Sequence, residues 1–154
     1  MRTKITCAIV TLVIAFSSTT YVDAAPDKKN PVSGQEVASL YSGKTWIWSN
    51  GGSYWGADGS FEAVFDDAVA VGKWYATTKG NVCYEARWKK KSANDGGVEV
   101  KRCWTHVRDN QGVMWKLDPE TNEWYRPQKE FDERLKPGNQ IKSEVRKLRQ
   151  QTGL

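Results

Sequence analysis

Histidine occurs once in the 154 residues, at His106. A Ser–His–Asp triad would therefore rest on that one imidazole, and no Gly-x-Ser-x-Gly turn is present to present a nucleophile. A lone histidine among scattered carboxylates also lacks any spacing by which side chains hold a metal. There is no glycine-rich phosphate loop and no dinucleotide fingerprint, so no cofactor is expected. The carboxylates divide into ordinary roles. Asp58, Asp66 and Asp67 stand at turn signals, Glu85 has an expected lysine partner, and Glu62 alternates away from Phe61 and Phe65. The facing pair of acids that a glycosidase needs is missing, and no catalytic residue is assigned.

Long apolar runs are equally scarce. The longest, Ile5 to Phe16, follows Arg2 and Lys4 and precedes Val22-Asp23-Ala24. It is too short to span a bilayer and reads as a cleavable signal peptide, residues 1–24, cut after Ala24. The remainder, 25–154, is expected to be one β-rich domain without a transmembrane segment, placed in the periplasm or secreted. It divides into a body, 32–126, and a helical tail, 127–154. Of three cysteines, Cys7 falls in the signal peptide. Cys83 and Cys103 remain, and an even pair in an oxidising compartment favours a disulfide.

What is present centres on the stretch from Val82 to Thr105. Val82–Lys89 and Val98–Thr105 both alternate with period two, and a polar loop ending in Gly96-Gly97 joins them. Setting Cys83 opposite Cys103 places Glu85 against Lys101, Arg87 against Glu99, Trp88 against Val98, Ala86 against Val100 and Val82 against Trp104. Tyr84 opposite Arg102 is the one mixed pair. Opposite charges and apolar pairs favour this register, and a slip of one residue would turn the two cysteines to opposite faces. Directly opposed Cα atoms lie roughly 4.5–5.5 Å apart, within reach of a disulfide.

The rest of the body reads as strands at short spacing. Ser33 and Glu36 form a capping pair before a short helix ending near Gly43. Strands are expected at Thr45–Trp48, Ser53–Trp55, Ser60–Phe65, Val69–Thr77, the two arms of the hairpin, Val113–Leu117 and Glu123–Arg126. The fold class is mainly β: an antiparallel meander of about eight short strands, curled into a small up-and-down barrel or a bent sheet, with a two-layer sandwich as the alternative. Pro127–Asn139 reads as an irregular charged crossing. Asn139 is expected to cap an amphipathic final helix, Gln140–Gln151, with Ile141, Val145 and Leu148 on one face.

Taken in order, Glu36-Val37-Ala38-Ser39-Leu40-Tyr41, Lys44-Thr45-Trp46-Ile47-Trp48, Gly72-Lys73-Trp74-Tyr75, Cys83-Tyr84 leading to Trp88, Cys103-Trp104 and Leu135-Lys136-Pro137-Gly138-Asn139 form a distinctive ensemble. It resembles the exported alphaproteobacterial proteins grouped as domain-of-unknown-function family 995, from Val32 to about Leu148. The resemblance implies an exported, disulfide-bridged domain, which is class and place rather than chemistry. Gly72-Lys73-Trp74 also resembles the Gly-x-Trp of lipocalins. There the motif belongs on the first strand and here it falls on the fourth, so that likeness extends only to barrel shape.

Aromatic content is the strongest signal, with eight tryptophans, all beyond the signal peptide. Trp74, Trp88 and Trp104 share faces with small or apolar residues and are expected in the core. Trp46 and Trp48 share one face of their strand, and Tyr54 and Trp55 flank a glycine-rich turn. These four are the candidate ligand-binding residues at an open barrel end, for a small amphipathic or saccharide ligand. The other functional reading uses the tail. From Arg126 to Leu154 there are eight basic and four acidic residues. The final helix would then contact an envelope protein or an anionic surface, unless its charges form a solvated face. Nucleic acid is not an expected partner for an exported chain.

Overall fold

A computed structural model describes residues 30–154. The expected signal peptide, 1–24, and the cleavage expected after Ala24 lie outside the described residues. Helix α1 (Gly34–Tyr41) starts where the Ser33 hydroxyl accepts the Glu36 N–H at 3.2 Å. Gly43, with φ +71°, supplies the left-handed residue just past its end. Eight strands follow: β1 (Lys44–Trp48), β2 (Gly51–Trp55), β3 (Ser60–Phe65), β4 (Ala68–Ala76), β5 (Asn81–Lys90), β6 (Val98–Arg108), β7 (Met114–Leu117) and β8 (Trp124–Tyr125). Then come α2 (Gln128–Arg134), β9 (Leu135–Pro137) and α3 (Lys142–Thr152).

All nine strands form one antiparallel sheet in the order β8-β7-β6-β5-β4-β3-β2-β1-β9. The meander is therefore as expected, and the sheet is bent rather than closed. Its curvature is strong. Lys116 of β7 lies 4.1 Å from the ring centroid of Trp46 on β1, six strand steps away. In a flat sheet, at about 4.8 Å per step, those strands would stand roughly 29 Å apart. The stretch expected to be an irregular crossing instead contains α2 and β9. Strand β9 pairs with β1, Lys44 against Pro137 and Trp46 against Leu135, and so covers an edge that would otherwise be open. Helix α2 packs Phe131 on Tyr41, Trp46 and His106, with ring centroids 5.8 to 6.4 Å apart. Elements of seven and three residues carry too little periodicity to be read from sequence. Ahead of α1 the chain is tied to the sheet: Pro31 bridges Val107, and Val32 N–H donates to His106 C=O at 3.0 Å.

The hairpin register is the expected one at every position, from Val82 against Trp104 to Trp88 against Val98. Cys83 and Cys103 are joined, their Cα atoms 4.1 Å apart. His106 N–H donates to Gly80 C=O, so by alternation the cysteines form a non-hydrogen-bonded pair, the closer of the two kinds. With a sequence separation of 20, the bridge stabilises by about 3 kcal/mol on the loop-entropy account. On the same outer face Glu85 binds Lys101 at 2.8 Å and Lys73 at 3.5 Å. The Lys101 hydrogen bond, with one from Tyr75, holds the Glu85 carboxyl down near a pKa of about 2. In the Gly72-Lys73-Trp74 motif, a Cβ at Gly72 would stand 2.0 Å from the Glu85 carbonyl oxygen, so only glycine lets β5 approach there. Trp74 Nε1 donates to Gly56 C=O at 2.8 Å, tying the motif to the β2–β3 turn.

Two cores result. The larger lies inside the curl and contains Trp55, Phe61, Ala63, Ala70, Trp74, Val82, Tyr84 and Ala86. The smaller lies outside it. Val64 of β3 and Val69 of β4 face outward and are covered by Ile141, Val145 and Leu148 of the final helix. That apolar stripe docks on the body, as its spacing implies. Helix α3 starts at Lys142, and the Asn139 carboxamide accepts the Ile141 N–H at 3.2 Å while donating to Glu62 at 2.9 Å.

Candidate functional site

Alternation along β1 and β2 sends Trp46, Trp48, Ser53 and Trp55 to the concave face. Trp104 from β6, Lys116 from β7, Tyr125 from β8, Glu130 from α2 and Tyr41 from α1 converge from the other side. Together they line a half-open cavity of about 190 Å³. A wider groove of about 560 Å³ lies against it, lined by Trp48, Phe65, Trp88, Val100 and Trp104 among others. Trp48 and Trp104 belong to both. Phe65 and Val98, 45 % and 63 % exposed, are the large apolar side chains left most open, and both stand at this end of the sheet.

The cavity's polar groups are few, and most are already engaged. Tyr125 donates its hydroxyl to Glu130 at 2.9 Å. The Ser53 hydroxyl oxygen accepts from Trp55 Nε1 at 3.2 Å. Lys116 differs from the rest. It is only 5 % exposed, and its ammonium faces the rings of Trp46, Trp104, Tyr125 and Phe131 at 4.1, 5.7, 5.8 and 6.0 Å. Among the described residues it has no hydrogen bond and no ion pair; attraction to the π faces is what holds the charge. Burial lowers its pKa to about 8, against the upward pull of Glu130 and Asp118. Removing such a charge from water is costly, and the ring faces offset part of that cost.

His106 sits beside Lys116 in the β6–β7 ladder and is fully buried. Its Nδ1 contacts the Gly80 carbonyl at 3.1 Å and its Nε2 the Tyr41 hydroxyl at 3.0 Å. A carbonyl only accepts, so Nδ1 carries the proton, and the Tyr41 hydroxyl donates to Nε2. The ring is neutral and both nitrogens are used in structure. Burial first, and the Lys116 charge second, depress its pKa to about 4. A depressed pKa means that the unfolded chain binds this proton first as pH falls. The stabilisation is complete above the ordinary value of about 6.5 and is lost between there and 4, up to roughly 3 kcal/mol. Urea midpoints measured at pH 7.5, 5.5 and 4 should fall accordingly, and His106→Gln should flatten the decline over that window. An equal slope in the variant would assign the acid sensitivity elsewhere.

Of the four aromatic residues expected at a site, the structure brings Trp46, Trp48 and Trp55 to the cavity wall. Tyr54 is not brought there. It neighbours Trp55 on a strand, so it points to the opposite face and packs beside Val64 and α3. Trp74 is buried as expected, whereas Trp88 and Trp104 are half-buried at the groove. Sequence reasoning passed over Lys116, Tyr125, Glu130 and Tyr41. The available signal was Lys116 itself, one charge between Trp115 and Leu117 in a strand whose ladder partner is the only histidine. Among the described residues no three of His, Cys, Asp and Glu are grouped to hold a metal, and no helix is long and apolar enough to cross a membrane.

Fold and cavity together define a mainly β protein, a bent antiparallel sheet curved around an aromatic chamber that holds the Lys116 ammonium. The chain belongs to the family described as "Protein of unknown function (DUF995)", which matches residues 9–151. No curated protein and no solved structure matches it.

Proposed function

We propose that the chain is an exported, non-catalytic binding module of the periplasm, possessing one interior site for a small amphipathic ligand. The observation that carries the reading is the chamber between Trp46, Trp48, Trp55 and Trp104, with Lys116 charged and unpaired inside it. An apolar residue at that position would make a more stable core, so the charge is retained at a cost, as is common where a site has work to do. Size narrows the ligand. Drug-sized ligands occupy roughly 300–1,000 Å³, while a cavity of about 150 Å³ takes benzene. At about 190 Å³ the chamber suits a single ring or a short alkyl chain. A saccharide needs many hydrogen-bonding partners, and the lining supplies few beyond Ser53, Lys116 and Glu130.

Titration with single-ring and short-chain amphiphiles, followed by intrinsic tryptophan fluorescence, tests the reading. A saturable change is expected, weakened at least about tenfold by Trp48→Ala, since Trp48 is half-buried and its loss leaves the core intact. Absence of any response, or an unaltered one in the variant, would remove this site from consideration.

A second reading is supported by α3, whose Lys142, Arg146, Lys147 and Arg149 all remain exposed after its apolar face has docked. That charged surface suits an envelope protein or an anionic surface as partner.

A further inference from the structure

The hydrogen-bond inventory of the chamber narrows its ligand further, on the assumption that the binding reading above holds. Two lining hydroxyls are spent as donors, Tyr41 on His106 and Tyr125 on Glu130. The Glu130 carboxylate, the one anionic acceptor on the lining, is thereby already engaged. Two donors on the lining are left without an acceptor. Lys116 offers an ammonium with no partner among the described residues, and the Ser53 hydroxyl accepts from Trp55 while its own proton has no acceptor among them. An acceptor-only group suits such donors, and a carboxylate also neutralises the ammonium charge. A dianionic group is disfavoured, because a single ammonium would meet it in a chamber that also holds Glu130. The indole faces of Trp46, Trp55 and Trp104 then receive an apolar body.

We infer that the site takes a monocarboxylate of single-ring or short-chain size, its carboxylate on the Lys116 ammonium and its apolar body against the tryptophans. The groups facing Lys116 are Glu130 of α2, Asp118 of the β7–β8 turn, Tyr125 of β8 and His106 of β6. None of them supplies a buried counter-ion within pairing distance, which leaves that place to the ligand.

The test compares matched probes on the full mature chain: benzoate and hexanoate, their alcohols benzyl alcohol and hexanol, and their amines benzylamine and hexylamine. Tryptophan fluorescence and the shift in melting temperature report binding. Carboxylates should bind at least about tenfold more tightly than the alcohols, a ratio worth about 1.4 kcal/mol. Lys116→Met should abolish that preference and raise the melting temperature of the unliganded chain by several degrees, because it removes a buried charge. Lys116→Gln, which keeps a polar donor, serves as a second variant with the same expected loss of preference. Equal binding of alcohols and carboxylates, in wild type and variants alike, overturns the carboxylate assignment and leaves the binding module standing. Preference for the amines also overturns it, making Glu130 the anchor. No binding of any probe overturns both.

Discussion

A chain ending at Asn139 should fail to keep its fold. Removing Gln140–Leu154 uncovers Val64 and Val69, both fully buried, and deletes Ile141, Val145 and Leu148 from the cluster that covers them. At about 1.5–3 kcal/mol for each large side chain returned to water, the loss is roughly 5 kcal/mol or more, close to the whole net stability of a small domain. The expected result is a collapse of the near-UV circular dichroism and a urea midpoint shifted to the bottom of the accessible range. A truncated chain that melts like the full one would show α3 to be an appendage. If it then also lost adhesion to an envelope partner or anionic vesicles, the charged helix would become the better functional reading.

Trp55→Ala is expected to cost about 3–5 kcal/mol, the range for deleting a buried tryptophan, and to lower the melting temperature by roughly 10–20 °C. Trp55 is 3 % exposed and meets five other rings, those of Tyr41, Phe61, Trp74, Tyr84 and Trp104, at centroid distances of 5.0 to 6.4 Å. All five are tilted or edge-on contacts, which add to the area buried. Neighbours held from four strands and a helix cannot all collapse into the space vacated. Thermal melts of Trp55→Ala and Trp48→Ala side by side make the comparison. Trp48, at the mouth, should lose binding with little loss of stability, and Trp55 the reverse emphasis; equal melting temperatures would show that Trp55 is not the hub of the inner core.

The two tryptophans illustrate how far local pattern reaches. The central hairpin was legible down to individual pairs, because period-two alternation, two oppositely charged and three apolar matches, and two cysteines all select one register. The Ser33 cap and the Ile141–Val145–Leu148 stripe were legible for the same reason: each is a relation between residues within two helical turns. Tyr54 was grouped with Trp55 by proximity in the chain, where alternation along β2 separates them to opposite faces.

Curvature is where that reach stops. Alternation divides each strand into two faces without saying which becomes concave, and β3 and β4 are apolar on both, with Phe61 and Ala70 turned inward and Val64 and Val69 outward. Helix α2 and β9, pieces too short to announce themselves, pack on β1, which the curl brings near β7. Lys116 meets Tyr125 and Trp104 through neighbouring strands, but it reaches the rings of Trp46 and Phe131 only because the sheet curls. Pairing energies act between neighbours and are written in local order. The shape of the chamber depends on contacts between residues some seventy positions apart, whose free energy appears only when the whole sheet has curled.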